Sequence, residues 1–298
     1  MRADGPAAIG RPRPLRFHRD QFPGEPLLDT AVSHAMLRRV AAGSVAESLR
    51  LYVPDRAMLF SSLDARRPGY ARAVSLAEQA GFPSLVRLAG GQAAVFLEES
   101  IAFAWASPDP NAHLQIRQRF ESVSSWIMAS LCRLGLDARV GPVPGEYCPG
   151  EFSVNIGGRV KIMGVGQRVI KGGAHVGGVL TVAGTPLLRE TLISIYEALD
   201  VEFQPETAGG IADFDPSLGL EDIIAAMVDV LDEGGYDLEP RRFDAAICQE
   251  AEALIPHHVP ERNTERGAVL RPSRGDQKTL LHGESSDSKS VPTETDES

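Results

Sequence analysis

Apolar residues recur along this chain at two spacings, and each predicts a different element. At three and four residues they mark helices: Leu28, Val32, Ala35, Met36 and Val40 between Pro26 and Gly43, a run from Ala71 to Ala80 that stops at Gly81, and Ile116, Phe120, Val123, Ile127, Leu131 and Leu134 ahead of Gly135. Thr185-Pro186 offers an N-cap followed by proline at the first helical position, and Leu188, Leu192, Ile195 and Leu199 form the core face behind it. Two further amphipathic segments, Ser217 to Leu231 and Arg241 to Leu254, flank Gly234-Gly235 and predict a short helical cap.

Between the helices lie short strand-like runs at Leu15 to Phe17, Leu49 to Val53, Met58 to Ser61, Leu85 to Leu88, Ala93 to Leu97, Ile101 to Ala106 and His175 to Val182. The clearest alternation sets Phe152, Val154 and Ile156 between Glu151, Ser153 and Asn155, and Gly157-Gly158 follows at once. That pattern predicts a hairpin over residues 151–164 with a two-glycine loop, in which Ile156 faces Arg159 and Val154 faces Lys161. Lys161 would then stand against an apolar wall. Hairpin-like strands interrupted by helices, without regular strand–helix–strand alternation, predict an α+β fold with a mixed, largely antiparallel sheet flanked by helices. Residues 1–14, rich in proline, glycine and arginine, read as a flexible arm. Residues 15–255 read as one domain, and the polar stretch 256–298 as a disordered tail.

Composition narrows the function. A net charge of −10 and a pI near 5.2 give no basic footprint for nucleic acid or an anionic membrane surface. No run approaches the ~18 apolar residues of a membrane span and no signal-like segment opens the chain, so a cytoplasmic protein is expected. Cys132, Cys148 and Cys248 are widely spaced, which suggests neither a disulfide framework nor a metal site. Lysine is confined to Lys161, Lys171, Lys278 and Lys289 among 30 basic residues. Outside the tail, lysine occurs only in the central stretch, where a compact ammonium can approach a carboxylate or phosphate that a planar guanidinium cannot. Lys171, ahead of Gly172-Gly173, reads as a turn residue.

The central stretch carries a resemblance. Gly158-Arg-Val-Lys161-Ile-Met-Gly164-Val-Gly-Gln167-Arg168, followed by His175 and Gly177, resembles the lysine motif of the lipoate-protein ligase A family, whose catalytic domain is shared with biotin ligases and lipoyl/octanoyl transferases. Upstream, Arg87-Leu-Ala-Gly90-Gly91-Gln-Ala-Ala-Val95-Phe96 is similar to that family's glycine motif, although Leu88, Gln92 and Ala93 depart from it. The resemblance implies that Lys161 is catalytic and that Arg87, Gly90, Gly91, Val154, Gly164, Gln167, Arg168 and His175 contact substrate or cofactor.

Three activities follow from the resemblance. The first is a ligase that activates lipoate or octanoate with ATP and Mg2+ and transfers the acyl group to a lysine of a lipoyl domain, on a 2-oxoacid dehydrogenase or the glycine cleavage H protein. Lys161 would serve the carboxylate and α-phosphate, Gly90-Gly91 the phosphates, and the face around Val154 the acyl chain; no carboxylate pair stands out as a metal site. The second is a transferase that takes octanoyl from acyl carrier protein through a thioester on Cys148, which precedes the lysine motif at the interval seen in such relatives. The third is an inactive binder of lipoyl groups or adenylates.

Overall fold

The computed structural model describes residues 12–261. Their main sheet has eight strands in the order β11-β1-β2-β6-β10-β9-β8-β7. These are β1 (Arg13–His18), β2 (Ser48–Tyr52), β6 (Ser100–Pro108), β7 (Ala138–Val140), β8 (Val154–Ile156), β9 (Val160–Ile170), β10 (Gly173–Thr181) and β11 (Tyr236–Pro240). β1 pairs in parallel with both β2 and β11, and the other pairs are antiparallel. A second sheet of three strands has the order β4-β3-β5, from β3 (Ala57–Phe60), β4 (Ser84–Val86) and β5 (Ala94–Phe96). The mixed, largely antiparallel α+β architecture is the one the sequence predicts.

Alternation in β6 shows how the two faces of the main sheet come to differ. Ile101 and Phe103 point into the core beneath α3 (Ile116–Arg133) and α5 (Leu220–Glu233), with Trp105 packed at its margin, whereas Ala104 and Ala106 face α1 (Pro26–Ala41) and α6 (Ala245–Leu254). Large residues therefore fill one side and alanines leave space on the other. On that spacious side the small sheet, α2 (Tyr70–Gln79) and α4 (Thr185–Ala198) build a separate apolar cluster around Phe60, Phe82 and Tyr196.

Three expectations change. The hairpin turn spans Gly157 to Arg159, because Ile156 pairs with Val160, and Asn155 rather than Val154 opposes Lys161. Between Val154 and Asn155 the register slips, so β9 advances two residues against one. This bulge sends Ile162 and Met163 into the same core and leaves Lys161 and Gly164 together on the other face. Second, the helical segments after residue 217 do not make a cap: α5 packs in the main core, β11 extends the sheet, and α6 packs on α1. Third, the expected arm and tail boundaries shift. Arg13 and Pro14 belong to β1, and a 3₁₀ turn at Ile255–His258 buries His258, whose ring bonds His34 at 3.1 Å and the Val86 carbonyl at 2.8 Å. Residues 1–11 and 262–298 lie outside the described residues.

Candidate active site

The bulge in β9 is what places Lys161. Its side chain is buried, and Nζ donates to the carbonyl oxygens of Cys148 at 2.7 Å and Tyr147 at 2.9 Å, and to Glu146 Oε1 at 3.3 Å. Tyr147 adds a ring face 4.8 Å from Nζ. Gly164 makes room, since a Cβ there would lie 3.4 Å from the lysine Cε. Burial lowers the Lys161 pKa, and the charges of Cys148 and Glu146 oppose that shift.

Glu146 belongs to no motif or apolar period that would single it out in the sequence. Its carboxylate is buried and accepts from the Val143 and Gly150 amides at 3.1 and 2.9 Å, from Ser153 Oγ at 2.7 Å, and from Lys161. Those bonds clamp both shoulders of the loop that carries the cysteine. A buried ion pair holds only when its remaining donors and acceptors are satisfied, and this one is met on every side.

Within the clamped loop Cys148 adopts φ 42°, a conformation that costs a non-glycine residue energy and tends to occur where function requires it. Its Sγ accepts from the Gln92 amide at 3.1 Å and lies 3.9 Å from Arg87 Nη1, which also donates to the Gln92 carbonyl at 2.8 Å. Gly91, at φ +116°, makes this approach feasible, because a Cβ there would sit 3.0 Å from both the arginine and the sulfur. Gly90 faces open space. Gly166 lets the 87–90 loop lie flat on β9, where a Cβ would meet Ala89 at 2.9 Å.

Arg87, Cys148, Lys161, Gly164 and His175 line one cavity with Phe96 and other apolar residues. His175 is buried with Nδ1 unpartnered, and burial pushes its pKa down to about 3, so the ring is neutral at ordinary pH. Gly91 abuts the cavity through Arg87 and Cys148, whereas the structure separates Val154, Gln167 and Arg168 from it. Val154 is in the core on the opposite face of the sheet, a consequence of the register slip. Gln167 accepts from Arg119 Nε at 2.7 Å and donates to the Ile116 carbonyl at 3.1 Å, so it anchors α3. Arg168 and Lys171 are exposed. Among the described residues, no group of three or more His, Cys, Asp or Glu side chains is placed to hold a metal ion, and no helix is long and apolar enough to cross a membrane.

Residues 25–229 match the family model of the lipoyl protein ligase A/B catalytic domain. The chain is 30% identical over 184 residues to an octanoyl-[GcvH]:protein N-octanoyltransferase of Geobacillus kaustophilus, a match that covers 60% of this chain and 65% of that one. It is 26% identical over 257 residues to the enzyme of the same name from Bacillus velezensis, covering 80% and 88%. Among solved structures, lipoate-protein ligase A bound with ATP superposes with a TM-score of 0.64 at 20% identity, over 83% of this chain and 94% of the other. That last similarity is one of fold.

Proposed function

The chain belongs to the lipoyl protein ligase A/B catalytic-domain family, and from that premise we propose that it is an acyltransferase working through a thioester on Cys148. The supporting observation is the seat of the sulfur: a cysteine held in a strained turn, its Sγ receiving the Gln92 amide and lying beside the Arg87 guanidinium. Cationic and amide donors favour negative charge on sulfur. That charge develops twice, once when sulfur attacks and once when it leaves.

In the first step Cys148 Sγ attacks the carbonyl carbon of an octanoyl or lipoyl thioester or amide on a donor protein. A new S–C bond forms, the donor's bond to the acyl group breaks, and the donor departs with the proton of the cysteine thiol. In the second, a lysine amine of an acceptor lipoyl domain attacks the enzyme thioester, forms the amide and returns the thiol. The two named relatives act from octanoyl-[GcvH], and the same donor class, with lipoyl domains as acceptors, is proposed here in a cytoplasmic setting. Lys161 positions the turn through the Tyr147 and Cys148 carbonyls, and its buried positive charge lies close to the reacting carbonyl, where low dielectric strengthens electrostatic stabilisation.

ATP-dependent activation, the first expectation from the sequence, is less well supported by the donor groups present. All three Lys161 protons are committed, the Gln92 amide is directed at sulfur, and Arg87 is bonded to the Gln92 carbonyl. An adenylate would have to break these contacts. The test supplies an apo-lipoyl domain with either octanoyl-H protein alone or free octanoate plus ATP and Mg2+, read by intact mass. Transfer from octanoyl-H protein alone is expected; transfer only with ATP would establish the ligase reading instead.

A further inference from the structure

The cavity beside Cys148 runs across strands rather than along one. Tyr52 of β2, Ala102 of β6, Val179 of β10 and Gly164 of β9 are successive register partners, so they form one row across four strands. Three inter-strand spacings of about 4.8 Å separate Gly164, beneath Lys161, from Tyr52, a span of roughly 14 Å. The adjoining row on the same face runs from Arg50 through Ala104 and Gly177 to Gly166. Its small residues keep the floor low, and β9 and Arg50 close it at either side. Thr30 and Ser33 of α1 line the cavity at the Tyr52 end.

That far end is fixed. Arg50 is fully buried, donates to the Asp20 carbonyl at 2.8 and 3.1 Å and to the Asp29 carbonyl at 2.8 Å, and pairs with the Asp29 carboxylate. The Tyr52 ring packs over its guanidinium, with Cζ 3.8 Å from the ring centroid. Moving the ring would sacrifice a desolvated cation–π contact and uncover a buried charge.

Resting on the acyltransferase reading, we propose that Tyr52 is the stop of the acyl channel and restricts this enzyme to medium-chain acyl groups. At C–C bonds of about 1.5 Å, an extended eight-carbon chain spans roughly 9 Å and a sixteen-carbon chain roughly 19 Å. The first fits within the span from Gly164 to the stop. The second does not. Tyr52 acts by excluding longer chains, since a terminus that reached it would have to displace the ring from Arg50.

The test treats the full-length chain with N-acetylcysteamine thioesters of four, eight and sixteen carbons and follows acylation of Cys148 by intact mass. The parent should favour eight carbons over sixteen by at least about tenfold, the scale on which a closed apolar pocket rejects surplus methylenes. Tyr52→Ala should erode that preference, and Ala104→Leu, which raises the floor, should shift preference from eight carbons toward four. The second variant keeps the test decisive if Tyr52→Ala fails to fold. Equal parental rates with eight and sixteen carbons, or an Ala104→Leu variant with the parental chain-length profile, would overturn the stop. No acylation of the parent by any thioester would overturn the acyltransferase reading and the stop with it.

Discussion

Lys161 grips Cys148 by its backbone: Nζ lies 2.7 Å from the cysteine carbonyl oxygen. The lysine therefore holds the strained turn in place from behind and is itself held by Glu146. Lys161→Ala strands a buried carboxylate, at a cost of about 3 to 5 kcal/mol. Lys161→Ala is predicted to lower both stability and acyl transfer. Lys161→Met with Glu146→Gln should recover much of the melting temperature but not the transfer rate; recovery of both would show that the pair only supports the fold.

The two glycines of the Gly90-Gly91 loop should respond differently to substitution. Gly91→Ala introduces a Cβ at φ +116°, 3.0 Å from Arg87 Nη1 and Cys148 Sγ, and should displace the sulfur from its donors. A methyl group at Gly90 would meet no neighbour within 4 Å, so Gly90→Ala should be close to parental. Rates of thioester formation for the two variants at equal folded concentration decide the point, and similar rates would remove the sulfur's seat from the account.

Acid should weaken the fold through the neutral rings of buried His18 and His175 and of half-buried His34. Burial lowers the pKa of His18 to about 4, of His34 to about 4 and of His175 to about 3, from an ordinary 6.5. The unfolded chain takes up protons below pH 6.5 while these rings resist until the pH nears their folded values. Their contribution to stability is thus present above pH 6.5 and is lost as pH falls toward 4. Each ring adds up to about 1.4 kcal/mol per pH unit across that window. Denaturant melts between pH 7.5 and about 4 check the slope, and His175→Gln should shallow it; a flat profile would mean that the rings charge freely in the folded state.

How much of this was legible in the sequence depended on whether a residue's role is local. The face Val123, Ile127 and Leu131 of α3 and the strand at Ile101 to Ala106 formed as predicted, whereas Ile116, in the first turn of α3, is exposed. The resemblance brought Lys161, Cys148, Arg87 and Gly91 forward, and the structure gathers them in one place. Glu146, Arg50 and Tyr52 gave no such signal. Polar residues are read as surface until tertiary partners satisfy them, and those partners lie on other elements. The bulge at Lys161 was hidden because alternation specifies a face only while register is kept. β11 alternates, but over only two apolar residues, Tyr236 and Leu238, before Pro240, too short a run to stand out from the adjoining helical pattern.

The 3₁₀ turn at Ile255–His258 offers a further check. His258 is buried against His34 and the Val86 carbonyl, beside Arg87. A chain ending at residue 254 should melt several degrees below one ending at residue 261. Equal melting temperatures would show that the Ile255–His258 turn adds nothing to the domain.

The most direct test of the central claim is peptide mapping of the enzyme after brief exposure to octanoyl-H protein without ATP or acceptor. The account predicts one octanoyl group, carried on the peptide containing Cys148, lost on treatment with hydroxylamine and absent from Cys148→Ser. An unmodified Cys148 peptide in the parent, with acyl transfer to the lipoyl domain undiminished in Cys148→Ser, would contradict it.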